Sequence, residues 1–220
     1  MYYKTKILLV DDHPVVRDGL AMRIERQPDL TICGQADGYR SALAQIEACR
    51  PDLVVVDLLL RDGSGLQLIR DIRSRHPRLP VLVLSMQDER LYARRALRAG
   101  ARGYLMKGEA TEQVVDAIRQ ILAGHVYLSP AMRVCLLDSL ALDGSSEPES
   151  PVERLSDREL EVFRLLGEGL RTRQIAARLH LSIKTVETYC ERIKGALRVS
   201  SHPELIREAV LWARDREAAL

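Results

Sequence analysis

Asp11-Asp12, Asp57, Ser85 and Lys107 each follow directly on a short apolar run, at residues 6–10, 53–56, 81–84 and 103–106. If those runs lie side by side, three carboxylates meet at one edge with a hydroxyl and an ammonium facing them. Carboxylates crowded in this way repel and raise one another's pKa, so a cation is expected among them. A ligand set made of oxygens favours a hard ion. Mg2+, which is held by one or two carboxylates while it keeps several waters, fits best. The hydroxyl of Ser85 and the ammonium of Lys107 would serve the remaining oxygens of a phosphoryl group. Together these groups suit an aspartate that takes phosphate as an acyl phosphate while a metal neutralises the charge. Singly they have plainer uses: Asp11-Asp12 ahead of His13-Pro14 would also start a helix, and Lys107 would also sit in solvent.

The elements that must position these residues are legible in the pattern. Five apolar runs, at residues 6–10, 30–36, 53–56, 81–84 and 103–106, alternate with helix-period stretches at 15–26, 39–49, 66–75, 90–99 and 111–123. Such alternation predicts an α/β domain, a doubly wound parallel sheet covered on both faces. Near-continuous runs such as Ile7-Leu8-Leu9-Val10 suit central strands buried on both sides. A five-stranded, flavodoxin-like unit of this length has order 2-1-3-4-5, with its site where the winding reverses, between strands one and three. Gly63-Ser64-Gly65 lacks the third glycine of a dinucleotide fingerprint and reads as a turn into the next helix.

At 220 residues and 29% charged side chains, the chain has ordinary globular composition and room for two small domains. No apolar run approaches the roughly 20 residues that cross a bilayer, and no signal-peptide core precedes the first strand, so no membrane partner and a cytoplasmic location are expected. Four scattered cysteines without a Cys-x-x-Cys spacing read as reduced thiols. Residues 143–151 carry no apolar side chain and read as a hinge. The expected organisation is an acceptor domain at 1–125, a linker at 126–151 that is partly helical and then flexible, and a small all-α domain at 152–220.

That last segment shows four helical patterns and no strand. Ser156-Asp-Arg-Glu159 is a capping box, and Leu160, Phe163 and Leu166 share a face behind it. Residues 172–179 and a helix running from a Ser182 cap to about Leu197 are joined by His180-Leu181, a link tight enough for a helix-turn-helix. Residues 171–198 hold seven basic side chains against two acidic ones, a net of +5 that suits a polyanion. On the later helix Val186, Cys190, Ile193 and Leu197 should be core. Lys184, Glu187, Thr188 and Glu191 then face outward, flanked by Tyr189 and Arg192. A glutamate there costs non-specific affinity, yet it can accept from a cytosine amino group.

Asp11-Asp12, Asp57, Ser85, Lys107 and the segment from Asp57 to Gly65 resemble the receiver domain of bacterial two-component response regulators. The motifs Leu155-Ser-Asp-Arg-Glu-Leu-Glu-Val-Phe, Ile175-Ala, Leu181-Ser and Thr185-Val-Glu-Thr-Tyr resemble the LuxR-type helix-turn-helix. Together they are similar to the NarL/FixJ architecture. The resemblance implies that Asp57 takes phosphate from a histidine kinase and that Asp12, Asp57 and the backbone carbonyl of Leu59 ligate Mg2+, with Asp11 orienting its waters. Ser85 and Lys107 would grip the phosphoryl group, and Tyr104 would be the aromatic switch. Arg173, Lys184, Thr185, Glu187, Thr188, Glu191, Arg192 and Lys194 would contact promoter DNA. A homodimer formed on activation, through Val210, Leu211 or Trp212 of the last helix, and contact with RNA polymerase complete the implied partners.

The chain departs from the family at Arg61 and Gly108, where proline is usual, and at Tyr189, Ala196 and Arg198, where histidine, lysine and glycine are common. Two other readings bear weighing. A phospho-aspartate hydrolase of the haloacid-dehalogenase type normally wants a second Asp two residues after the nucleophile, where this chain has Leu59. A phosphate-blind interaction module would have no use for an intact acidic cluster. The expectation is therefore a regulator, not an enzyme beyond phosphorylation and dephosphorylation of itself.

Overall fold

The computed structural model describes residues 4–141, 151–179 and 181–217. The chain divides into two compact units, Met1–Leu142 and Asp143–Leu220. In the first unit β1 (Thr5–Val10), α1 (Pro14–Glu25), β2 (Leu30–Ala36), α2 (Tyr39–Cys49) and β3 (Leu53–Val56) are followed by a two-residue antiparallel ribbon, β4 (Leu59–Leu60) and β5 (Gly63–Ser64). Then come α3 (Gly65–Arg75), β6 (Val81–Ser85), α4 (Glu89–Ala99), β7 (Gly103–Met106), α5 (Ala110–Leu122) and α6 (Pro130–Ala141). The five long strands form one parallel sheet in the order β2-β1-β3-β6-β7, the doubly wound topology that the pattern predicts.

The pleat explains why these strands are apolar at every position. Ile7, Leu9, Leu53, Val55, Leu82, Leu84 and Leu105 join Leu20 and Ile24 of α1 and Val114, Ala117, Ile118 and Ile121 of α5 in one core cluster. The alternating residues Leu8, Val10, Val54, Val56 and Val83 are just as buried and, by the period of two, face the opposite side. Helices α2, α3 and α4 supply Ala42, Ile46, Leu68, Ile69, Ile72, Ala93 and Ala96 for that layer.

The first unit runs past the boundary at 125 that the pattern suggests, because residues 126–141 pack onto it. Tyr127 bridges Gly103 in parallel, its N–H donating to the Arg102 carbonyl (3.0 Å) and its carbonyl accepting from Tyr104 N–H (2.9 Å). Glu89 on α4 accepts from the Ser129 N–H (3.0 Å), and Met132 on α6 is buried. The stretch at 143–150 expected to be a hinge lies outside the described residues.

The second unit holds a short turn at Pro151–Arg154 and the helices α7 (Asp157–Gly167), α8 (Thr172–Arg178), α9 (Ile183–Leu197) and α10 (His202–Glu217). The capping box at Ser156 and Glu159 is formed, and Gly169 takes φ +81 just past α7. Ser182 caps α9 by accepting from Thr185 N–H at 3.0 Å. His180, half of the predicted link, lies outside the described residues. Val186, Cys190 and Ile193 are buried as their spacing requires. Trp212 stacks obliquely on Phe163, ring centroids 5.5 Å apart, which makes it a packing residue between α10 and α7 and leaves Leu211 as the exposed apolar side chain of the three on that helix.

Candidate functional site

Parallel pairing sets the site. Val10 pairs with Val56, so the residues that follow them, Asp11 and Asp57, emerge together at the carboxyl edge, and Asp57 N–H donates to the Val10 carbonyl at 2.9 Å. Both carboxylates are buried. Lys107, in the short turn after β7, reaches back between them, with Nζ 2.7 Å from Asp57 Oδ2 and 2.7 Å from Asp11 Oδ2. Ser85, the fully buried last residue of β6, donates to Asp57 Oδ1 at 2.8 Å. Leu59 N–H lies 3.4 Å from the same oxygen. Burial pushes the Asp57 carboxyl above its ordinary value, and the pull of Lys107 and Ser85 only partly opposes it. Burial alone would lower the Lys107 ammonium, but the Asp57 and Asp11 carboxylates outweigh it and hold the pKa above the ordinary value.

Asp11, Asp12, Asp57 and His13 each place one ligand atom within 4.8 Å of the others. Asp12 Oδ1 is buried yet accepts no hydrogen bond, although His13 Nδ1 lies 2.8 Å away. An orphaned carboxylate oxygen beside two further carboxylates fits a hard divalent cation. Sequence reasoning missed His13 and also Arg17, whose guanidinium donates to the Asp11 carbonyl at 2.5 Å. Nothing local marks Arg17, because its partner is a backbone oxygen six residues away.

The acceptor loop is bracketed from below. Gly65 is close-packed: a Cβ there would lie 2.2 Å from the Asp57 carbonyl oxygen and 2.6 Å from Leu58 Cα. The Asp62 carboxylate accepts from Tyr39 N–H (2.5 Å) and Arg40 N–H (3.2 Å), so it caps α2 from the ribbon. Arg61, where the family usually has proline, pairs with Asp37 at 2.5 Å. The Tyr39 hydroxyl donates to Asp71 on α3. Gly108, the other departure in this unit, faces open space. Tyr104 is fully buried on β7 and its hydroxyl donates to the Gln87 carbonyl at 2.6 Å. Burial, with Tyr92 and Asp57 nearby, holds its phenol well above the ordinary value.

In the second unit Lys184, Glu187, Thr188 and Glu191 of α9 line one open cleft of about 610 Å³ together with Thr172 and His202. Arg173 and Arg192 are exposed. Lys194 is drawn to Glu191 at 2.9 Å and is only 18% exposed. The Thr185 hydroxyl is engaged with Ser182 in the helix cap (2.7 Å), and the Thr188 hydroxyl donates to the Lys184 carbonyl (2.9 Å). The helix ends on Arg198 at φ +56, a left-handed residue where the family commonly has glycine. His202 was not singled out by the sequence, since it starts a different helix.

A doubly wound sheet with an acidic pocket at its carboxyl edge, followed by a helix-turn-helix, defines a response regulator with its own DNA-reading domain. Comparison with known proteins agrees with this on both counts. The family described as "Response regulator receiver domain" matches residues 7–119, and "Bacterial regulatory proteins, luxR family" matches residues 153–209. Transcriptional activator protein ExaE of Pseudomonas putida is 39% identical over 204 residues, covering 93% of this chain and 95% of that protein. The DNA-binding transcriptional activator DevR/DosR of Mycobacterium tuberculosis is 37% identical over 192 residues, with 87% and 88% covered. Among solved structures, RcsB of Salmonella enterica serovar Typhimurium, bound to promoter DNA in the presence of the phosphomimetic BeF3-, shares the fold at a TM-score of 0.66 and 23% identity, with 94% and 98% covered. The chain belongs to the NarL/FixJ family of response regulators and is a DNA-binding transcription regulator.

Proposed function

We propose that the chain is a phosphorylation-gated regulator in which Asp57 receives a phosphoryl group from the phosphohistidine of a kinase. The observation that carries this reading is the buried Asp57 carboxylate held between Ser85 Oγ (2.8 Å) and Lys107 Nζ (2.7 Å). In the transfer a carboxylate oxygen of Asp57 attacks phosphorus, the P–N bond breaks and the imidazole leaves. Asp12, Asp57 and the Leu59 carbonyl would hold Mg2+, with Asp11 orienting its waters; the ion supplies positive charge opposite the phosphoryl oxygens. Lys107 offers hydrogen bonds and charge from the other rim, and Ser85 can transfer its hydrogen bond from the carboxylate to a phosphoryl oxygen.

The new charge alters the β6–β7 edge through Ser85, Lys107 and Tyr104, and this favours a homodimer whose two α9 helices read paired half-sites. Leu211, 44% exposed, and Ile206, 37% exposed, are apolar side chains of α10 available to that contact. Lys184, Arg192, Arg173 and Lys194 supply phosphate contacts, while Thr185, Glu187, Thr188 and Glu191 face the bases. RNA polymerase is the further partner of a bound activator.

The test is to treat wild type and Asp57→Asn with acetyl phosphate and Mg2+, then to measure both the acid-labile adduct and promoter affinity. Wild type should gain one phosphate and bind more tightly. Equal binding by both proteins, with and without the donor, would overturn the gating.

A further inference from the structure

Cys33 and Cys49 take no part in either site, yet their sulfurs lie 3.1 Å apart, Cys33 donating to Cys49 and Cys49 donating to the Gln45 carbonyl at 2.9 Å. Three local features build this contact. The β1–β2 register jumps from Ile7 opposite Ile32 to Leu8 opposite Gly34, so Cys33 is the skipped residue, and such bulges re-aim a side chain. Cys49 is the last residue of α2, directly before Arg50 in a left-handed conformation that stops the helix. Gly34 lets the two elements close up: a Cβ there would meet Gln45 Oε1 at 2.7 Å and Cys49 Sγ at 3.3 Å. Both thiols are half-buried and so remain within reach of a small oxidant.

We infer that Cys33 and Cys49 are a site of reversible oxidation, closing to an intramolecular disulfide when the protein meets a peroxide. Cys49 attacks first: its S–H gives up a proton, the sulfur displaces hydroxide from hydrogen peroxide to become a sulfenic acid, and the hydroxide takes that proton as water. The Cys33 sulfur then attacks the Cys49 sulfur. The S–O bond breaks, and the hydroxide that leaves takes the Cys33 proton as a second water. Two thiols and one peroxide give one disulfide and two waters. Closing the bond asks for about 1 Å of approach, since S–S is about 2.05 Å. Burial, then the hydrogen bond with Cys49, pushes the Cys33 thiol up to about 12, so the first attack on the oxidant falls to Cys49.

The loop closed in this way contains Asp37, Tyr39 and Arg40, the residues that hold Arg61 and Asp62 in the ribbon after Asp57. Oxidation therefore stiffens the bracket of the acceptor loop. The inference stands independently of whether Asp57 is phosphorylated.

The test treats the full-length chain with stoichiometric hydrogen peroxide, blocks free thiols under denaturing conditions and maps peptides without reduction. The expected product is a single cross-link between the peptides carrying Cys33 and Cys49, with blocked thiols falling from four to two. A melting point roughly 5–10 °C higher, reversed by dithiothreitol, should accompany it. Cys135→Ser should behave as wild type, whereas Cys49→Ser should give neither the cross-link nor the shift. Sulfinic acid on separate cysteines, a cross-link through Cys135 or Cys190, or unchanged native thiols would overturn the inference.

Discussion

Lys107 is a single ammonium shared by two buried carboxylates, and the pH dependence of stability should show it. Its pKa lies above its ordinary 10.5, so the stability it contributes is complete below that value and is lost as pH rises through the folded one. Melting between pH 9 and 12 should fall steeply in wild type and more shallowly in Lys107→Met. At neutral pH that variant, which leaves Asp57 and Asp11 without their cation, should be about 3–5 kcal/mol less stable. Asp57 carries the opposite sign. Its carboxyl lies above its ordinary 3.8, so folding gains from protonation at low pH and loses that gain as pH rises through the folded value. Asp57→Asn should therefore melt higher than wild type at pH 7, with the difference shrinking toward pH 4; a lower melting point at pH 7 would contradict the burial argument. The five principal groups of this pocket were legible because each follows an apolar strand, where alternation in sequence fixes position in space. Arg17 and Asp62 were not, since one bonds a carbonyl and the other caps a helix 23 residues upstream, and neither bond leaves a local pattern.

At the scale of elements, Gly65 is where β5 gives way to α3 and where the chain packs against the backbone of the acceptor. Gly65→Ala would drive a methyl into the Asp57 backbone, so phosphate uptake should fall at least tenfold, measured as adduct formed per unit time, while the helix-turn-helix unit keeps its own melting transition. Arg198 ends α9 at φ +56, a conformation costly for a residue with a Cβ. Arg198→Gly should stabilise the second unit by roughly 0.5–1 kcal/mol in urea unfolding. The five sheet strands and helices α1 to α5 were predicted to within a residue or two because their hydrophobic periods are strong, whereas α6 was expected only as a partly helical linker. The β4–β5 ribbon was read as a turn, since two-residue strands have no period to detect. Residues 126–128 were assigned to a linker for the same reason: Val126-Tyr127-Leu128 is too short a run to announce a strand-like pairing that only β7, distant in sequence, makes possible.

For the molecule as a whole, charge and packing separate the tasks of the two units. Phosphate contacts release counterions, so promoter affinity should fall steeply with salt, and Lys184→Ala should lower the slope of log K against log salt by about 0.9. Glu187→Ala should leave that slope unchanged while altering which bases are selected from a random pool. The first unit carries a liability as well. Its last sheet strand has an outer edge on which Tyr127 takes up the Arg102 carbonyl and the Tyr104 N–H with its own amide and carbonyl. A chain severed after residue 125 would keep every acidic ligand and lose that selvedge, and a raw hem of this kind invites stitching to a neighbour. Such a fragment should sediment as oligomers at concentrations where one ending after residue 142 remains single.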